Sequence, residues 1–290
     1  MDMPVRPKTG KLSGDFRRSW RGVDYFGEFA WDFSGKSPGA ILGAVFPLGG
    51  DWKLSSAVHS YSSSFGSDYT GGIRGWTKTF DEHGATVGLE KTGAFLTADF
   101  AVKDRDRSKR QVRVLFRLPL QLTKVMVLSV RITERFRPYE EVLRYRTGAR
   151  CDLDWSSSGL SARYGPSDKP AWKIRGRLEG LLCRSLAGLA YLEGGRKTDW
   201  FSAYLRGTIF IVDNWDDRIY SYERDAPGNF TVPAYYGRGW SLSAVSGCKL
   251  RLGRGRALKL YFRASTMAYS FMKEPKPSVS EAKAQAVVMF

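Results

Sequence analysis

The sequence predicts an all-β protein: a transmembrane, antiparallel, up-and-down β-barrel of about 14 strands, up to 16, with short periplasmic turns and long outer loops. The first observation behind this is one-residue alternation of apolar and polar side chains, which a strand sends to opposite faces. The second is length. The alternating runs extend over about 9–16 residues, where soluble strands are mostly 5–6, and about 9–11 tilted residues cross a bilayer. The third is the character of the connections. Short turns at Pro47–Asp51, Lys91–Gly93, Gly194–Lys197 and Gly253–Gly255 interleave with long polar loops at Ser62–Gly84, Asp104–Arg110, Asn214–Tyr236 and Lys273–Ser280. Closing the wall also leaves no unpaired sheet edge in lipid.

Met1–Leu12 reads as a polar, basic N-terminal segment with no apolar signal-peptide core, and residues 13–290 as the barrel. An exported barrel needs a signal, so the expectation is that it was removed or that the chain is the C-terminal part of something longer. A short first strand is expected around Gly14–Trp20. With a last strand ending in the periplasm, that piece would begin outside, so it is either less than a full strand or preceded by others. Asp24–Phe33 sets Tyr25, Gly27, Phe29, Trp31 and Phe33 against Glu28 and Asp32. Gly39–Phe46 and Trp52–Tyr61 flank a strong Pro-Gly turn. Ala85–Glu90 turns through Lys91-Thr92-Gly93 into Ala94–Lys103, where Leu96, Phe100 and Val102 oppose Thr97 and Asp99.

Gln111–Gln121 and Lys124–Arg135 alternate cleanly, Val112, Val114, Phe116 and Met126, Leu128, Val130 outward. Pro138–Thr147 reads as a loop, and in Gly148–Tyr164 the Ser156–Gly159 run is either a turn or a loose section of one strand. Trp172–Gly180, Ser185–Glu193 and Thr198–Asp213 follow as strands. Then come Trp240–Leu252, Arg256–Phe271 and a final strand in which Ala282, Ala284, Ala286, Val288 and Phe290 alternate with Lys283 and Gln285.

No stretch approaches the roughly 18 apolar residues of a transmembrane helix. The aromatic share of 14% suits a membrane interface, where Tyr and Trp place one apolar and one polar end. The net charge of +17 points to anionic partners or to solvated basic loops. Cys151, Cys183 and Cys248 have no metal-like spacing, and free thiols are expected.

Strand parity points a basic set inward: Arg113, Arg117, Arg131, Arg135, Lys173, Arg175, Arg177, Arg206, Lys249, Arg251, Lys259 and Arg263. Inward carboxylates are fewer, at Glu28, Asp32, Asp99, Asp152, Asp154 and Glu179. An open lumen so lined favours anions; a filled one pairs these residues with each other and with water. Some basic residues near strand ends are alternatively placed to meet lipid phosphates.

Catalysis has weak support. His59 and His83 are the only histidines. His59 stands among Ser55, Ser56, Ser60 and Ser62, which invites a serine hydrolase, but there is no Gly-x-Ser-x-Gly elbow and parity points His59 to the lumen. His83 reads as an exposed loop residue in Asp81-Glu82-His83-Gly84. No metal-ligand spacing is present, so no metal, cofactor or enzymatic activity is expected.

Asp216–Gly239 reads DDRIYSYERDAPGNFTVPAYYGRG. The charges of Asp216, Asp217, Glu223 and Asp225 beside Arg218, Arg224 and Arg238 suggest internal ion pairs, and Pro233 with Gly237 and Gly239 a fixed return to the wall. Through Asp217, Arg218, Ile219, Tyr220, Tyr222, Glu223, Asp225, Pro233, Ala234, Tyr235, Tyr236, Gly237, Arg238 and Gly239, the segment resembles a near-terminal loop of certain outer-membrane proteins of Bacteroidota. Those carry an N-terminal helix-hairpin-helix region, similar to DNA-uptake proteins, before a large barrel. A weaker likeness covers Tyr25–Phe33 and the strand from Gly84. This chain shows no Gly-rich hairpins between short helices, so the resemblance implies the barrel and its location in the outer membrane. The expected function is a channel or transport component with a basic, anion-favouring lumen. The alternatives are a non-conducting structural or accessory subunit, an outer-membrane hydrolase and, last, a soluble nucleic-acid-binding β protein. Expected partners are outer-membrane lipid and lipopolysaccharide, other outer-membrane proteins, and an anionic solute or nucleic acid.

Overall fold

Alternation becomes strand along nearly all of the described chain. The computed structural model describes residues 10–65, 81–139, 142–161, 165–166, 171–253, 256–270 and 277–289. Its strands are β1 (Lys11–Trp20), β2 (Val23–Asp32), β3 (Ser37–Gly49), β4 (Trp52–Tyr61), β5 (Glu82–Lys91), β6 (Ala94–Val102), β7 (Arg110–Thr123), β8 (Met126–Tyr139) and β9 (Val142–Ser156). After the short pair β10 (Leu160–Ser161) and β11 (Gly165–Pro166) come β12 (Ala171–Leu182), β13 (Leu186–Lys197) and β14 (Phe201–Val212). A second short pair, β15 (Ile219–Tyr220) and β16 (Ala234–Tyr235), precedes β17 (Gly237–Gly253), β18 (Arg256–Ala268) and β19 (Val279–Met289). The long strands form one 15-stranded, up-and-down sheet in which each pairs with its sequence neighbours, β9 passing to β12 and β14 to β17. The helical piece among the described residues is a single 3-10 turn, Trp215–Asp217, and no helix is long and apolar enough to cross a membrane.

Several boundaries differ from the expectation. β1 is a full strand of 10 residues, paired from Lys11↔Asp32 to Trp20↔Val23. The polar N-terminal segment therefore gives way to strand at Lys11, while residues 1–9 lie outside the described residues. The reason is visible in register: Leu12, Gly14 and Phe16 continue the alternation opposite Trp31, Phe29 and Gly27. Phe16 lies over Gly27, where a Cβ would come within 2.5 Å of its ring, so the glycine makes room for the aromatic side chain.

The expected loop at Pro138–Thr147 is mostly strand, since β8 runs to Tyr139 and β9 starts at Val142; residues 140 and 141 lie outside the described residues. Ser156–Gly159 is a turn, with Gly159 at φ 95°. Gly194–Lys197 belongs to β13, and the chain reverses at Thr198–Trp200 instead. Most of the Ser62–Gly84 loop (66–80), residues 271–276 with the first part of the loop from Lys273, the tip of the Gly253–Gly255 turn and Phe290 lie outside the described residues.

The chain divides into two units: Met1–Phe116 with Thr133–Tyr145, and Arg117–Ile132 with Arg146–Phe290. In each, one sheet face is apolar and exposed. In the first, Phe29, Leu42, Val58, Val87 and Phe100 share that face. In the second, Leu178, Leu192, Leu205 and Ile209 do, and Leu178 is 66% exposed and Leu192 64%. The opposite face buries polar groups: His59 and Glu82 in the first unit, Asp152, Glu193, Arg206 and Arg263 in the second. Large apolar side chains in the open and charges inside invert the usual arrangement.

Candidate functional site

The polar face of the second unit carries the densest charge pattern, and it begins with strand register. On β9 and β12, Arg150, Asp152 and Asp154 stand opposite Glu179, Arg177 and Arg175. Direct cross-strand neighbours of opposite sign attract. Arg177 Nε donates to Asp152 at 2.6 Å and Arg175 Nε to Asp154 at 2.6 Å. On β13 and β14, Glu193 opposes Arg206, which donates to Glu193 Oε2 through Nε and Nη2 at 3.0 and 2.7 Å. The Tyr191 ring lies between Arg177 and Arg206, with guanidinium carbons 5.2 and 4.0 Å from its centre.

The segment joining β14 to β17 folds down onto this face. Arg224 Nε donates to Glu193 Oε1 at 2.6 Å and lies over the Tyr204 ring at 3.9 Å. Arg206 Nη1 donates to the Tyr222 carbonyl at 2.6 Å. Glu223 accepts from Arg263 Nη2 at 2.7 Å and from the Tyr235 hydroxyl at 2.5 Å. Arg263 in turn donates through Nη1 to Glu281 at 2.7 Å. Asp225 lies 3.9 Å from Lys283 Nζ and accepts from Thr231.

Asp217 accepts from the Arg184 and Ser185 backbone N–H groups at 3.0 and 2.9 Å and from Ser185 Oγ at 2.9 Å. Asp216 pairs with Arg184. The acids of the segment thus bind the wall and its β12–β13 connection. This corrects the expectation of ion pairs within the segment: Glu223, Arg224 and Asp225 find opposite charges on the strands they cover, and Asp216 finds Arg184 in the β12–β13 connection.

Apolar packing anchors the same segment. Ile219 and Tyr235 join Leu189, Tyr191, Phe210 and Val212 in one buried cluster, with the Phe210 and Tyr235 ring centroids 5.1 Å apart. Burial first, and then the Glu223 carboxylate, push the Tyr235 phenol up to about 12, so it stays a neutral donor. Burial works against the ionised Asp225, but Thr231, the Ala226 N–H and the charges of Arg263 and Lys283 outweigh it and hold its pKa down.

Of the other motif residues, Arg218 donates to Tyr220 Oη at 2.7 Å, Tyr220 and Tyr222 are exposed, and Tyr236 meets Trp215 edge-on. The Pro233 carbonyl accepts from the Ser221 N–H at 3.4 Å, and Arg238 pairs with Asp213 at 2.6 Å. Gly237 has φ 93°, and a Cβ on Gly239 would stand 2.0 Å from the Ala268 carbonyl. Asp217→Asn keeps the size of the side chain but turns an acceptor into a donor against N–H groups. The expected loss is about 1–3 kcal/mol, read as faster amide hydrogen exchange at Arg184 and Ser185.

Of the inward basic set, Arg113 pairs with Asp99 at 2.7 Å, and Arg175, Arg177, Arg206 and Arg263 are engaged as described. Arg131, Arg135 and Lys173 also have partners, and Arg117 and Arg251 are exposed. Lys249 and Lys259 face each other directly across β17 and β18, and neither has an ion-pair partner among the described residues.

Sequence reasoning missed Glu193, Arg184 and Glu281, and it gave Arg224 partners within its own segment where the structure pairs it with Glu193. Strand parity was the available signal for Glu193, which shares a face with Tyr191, but reading Gly194–Lys197 as a turn put it at a strand end. In the first unit, His59 Nε2 meets Glu82 Oε1 at 2.7 Å, with both buried on the polar face. His83 is not a loop residue: it lies on β5 opposite Ser60. Its Nδ1 is 2.9 Å from Ser60 Oγ and its Nε2 3.1 Å from Asp104 Oδ1. The three cysteines are free, and no group of three His, Cys, Asp or Glu suited to a metal ion occurs among the described residues. No protein-family model matches this chain, and no curated protein or solved structure matches it.

Proposed function

We propose that this protein is an integral β-barrel of a bacterial outer membrane, acting as a transport component with an anion-favouring interior that the β14–β17 segment gates. The observation that carries the reading is the inverted distribution of side chains. In each unit the sheet exposes an apolar face such as lipid would cover, and the polar face of the second holds Arg206 and Arg263 in contact with Glu193 and Glu223.

The segment supplies carboxylates and one arginine to that face, so its position sets how much wall charge is free. With it in place, Arg263 is neutralised by Glu223 and Glu281. Nearer the β17–β18 turn, the Lys249–Lys259 pair stays uncompensated. Facing like charges repel and attract an anion between them. The resemblance to Bacteroidota outer-membrane barrels supports the same reading, as does the aromatic share of the sequence.

The second reading, a non-conducting accessory subunit, is favoured by the completeness of the pairing around Glu193. Planar-bilayer recordings in asymmetric KCl separate the two. The expected reversal potential lies on the chloride side, and Lys249→Glu combined with Lys259→Glu moves it toward potassium. A reversal potential that ignores this charge reversal contradicts an anion pathway past these lysines and leaves the accessory reading.

A further inference from the structure

Ser60, His83 and Asp104 form a hydrogen-bonded row on the apolar face of the first unit, on the opposite side of the sheet from the buried His59–Glu82 pair. Three separate pieces of chain build it: the end of β4, the start of β5 and the connection after β6. Ser60 and His83 are direct cross-strand partners, with Ser60 Oγ 2.9 Å from His83 Nδ1. His83 Nε2 lies 3.1 Å from Asp104 Oδ1. Asp104 is fixed from its other side, where Oδ2 accepts the Ser63 N–H at 2.9 Å. The His83 hydrogen bond, then the Ser63 N–H, hold the Asp104 carboxyl below its ordinary range.

We propose that Ser60, His83 and Asp104 are an acyl-hydrolase site for carboxylic esters of bilayer lipids, with Ser60 as nucleophile and His83 as general base. Asp104 is the positioning residue. As an ionised carboxylate it accepts from Nε2–H of His83, and that leaves Nδ1 bare to accept from the Ser60 hydroxyl. A nucleophile bonded to a base, with the base bonded to an orienting third group, is the arrangement that activates serine. Sequence order and the lack of a Gly-x-Ser-x-Gly elbow do not bear on this, because the arrangement is defined by geometry.

The surroundings give the substrate class. Ser60 is exposed, and the strip running away from it on the same face is apolar: Leu42, Val58, Ala85, Val87 and Phe100. An acyl chain lying along that strip brings its ester to the polar end. Arg105, beside Asp104 in sequence, donates through Nη2 to the Ser63 carbonyl at 3.1 Å and so holds the residue whose N–H fixes Asp104. The lipid class rests on the membrane reading above; the chemistry of the three residues does not.

The reaction balances as ester plus water giving carboxylic acid plus alcohol. Ser60 Oγ attacks the carbonyl carbon as its proton passes to His83 Nδ1. The tetrahedral adduct collapses, the carbon–oxygen bond to the alcohol breaks, and His83 protonates the leaving oxygen. Water then attacks the acyl-serine and gives a proton to His83. Collapse releases the acid, and His83 returns the proton to Ser60.

The test uses the refolded full chain in detergent micelles, with a soluble nitrophenyl ester, a phospholipid in mixed micelles and a fluorophosphonate probe. Expected are ester turnover, fatty-acid release and labelling of Ser60, located by mass spectrometry. Ser60→Ala, which removes one exposed oxygen and leaves the strands intact, abolishes labelling and lowers turnover on the order of 10³-fold or more. Asp104→Asn lowers kcat on the order of 10²–10⁴-fold with KM unchanged, because the amide imposes the wrong tautomer on His83.

Folded wild-type protein that neither labels nor turns over either ester would overturn the proposal, as would full activity in Ser60→Ala. Turnover of the soluble ester alone would keep the triad and overturn the lipid substrate. Bilayer insertion, measured separately, reports on the membrane reading whatever the esterase result.

Discussion

Arg263→Ala is expected to release the β14–β17 segment from the wall while leaving the sheet paired. Arg263 is 3% exposed and is shared between Glu223 and Glu281 at 2.7 Å each. Its removal leaves Glu223, also 3% exposed, as a buried carboxylate with the Tyr235 hydroxyl and no cation. Breaking one side of a buried pair costs about 3–5 kcal/mol, because an uncompensated charge remains. The wall does not share that loss, since β18 keeps its backbone ladders to β17 and β19. Limited proteolysis should therefore cut within Asp213–Tyr236 in the variant and spare the wild type.

The control is the double change Arg263→Met with Glu223→Gln, which removes both charges. An apolar replacement of similar volume is often neutral in stability, so the segment should stay docked. If both variants release it equally, the ion pair is not what holds it.

Phe210→Ala is the second large effect. Phe210 is 0% exposed and packs against Tyr235 at 5.1 Å and Tyr269 at 6.1 Å between ring centroids. Truncating a buried phenylalanine costs about 3–5 kcal/mol through lost contacts and the cavity left behind. On the apolar face, Ile209, one residue away, is 56% exposed. Ile209→Ala should move the denaturation midpoint in detergent far less. A large shift for Ile209 and a small one for Phe210 would mean the buried and exposed sides have been assigned backwards.

The contrast between neighbouring residues 209 and 210 also marks what was legible in the sequence. Strand identity, and which residues share a face, came from period-two alternation and hold wherever alternation is strict, as in β14, β17 and β18. Boundaries were misplaced where glycine or serine interrupts the pattern: Gly194 and Gly195 look like a turn but lie inside β13. A Cβ on Gly195 would meet the Ala203 carbonyl at 2.2 Å. The glycine is there because backbone and the Tyr204 ring crowd that spot, a reason no local pattern expresses.

The site was legible in part. Parity placed Arg206 and Arg263 inward, yet it could not assign all their partners, because the Tyr222 carbonyl and Glu223 arrive from a segment that folds back over many residues. The Ser60–His83–Asp104 row was hidden for the same reason. His83 follows a stretch that reads as loop, and only strand register sets it opposite Ser60.

The most direct test of the central claim is single-channel conductance of the refolded protein in a planar bilayer, wild type beside Arg263→Ala. Both proteins are expected to insert, the wild type passing small, infrequent currents and the variant, with its segment released, large, steady, chloride-favouring ones. Equal conductance in the two proteins would contradict the gating role of the segment. A wild-type chain that stays soluble without detergent and never inserts would contradict the membrane barrel itself.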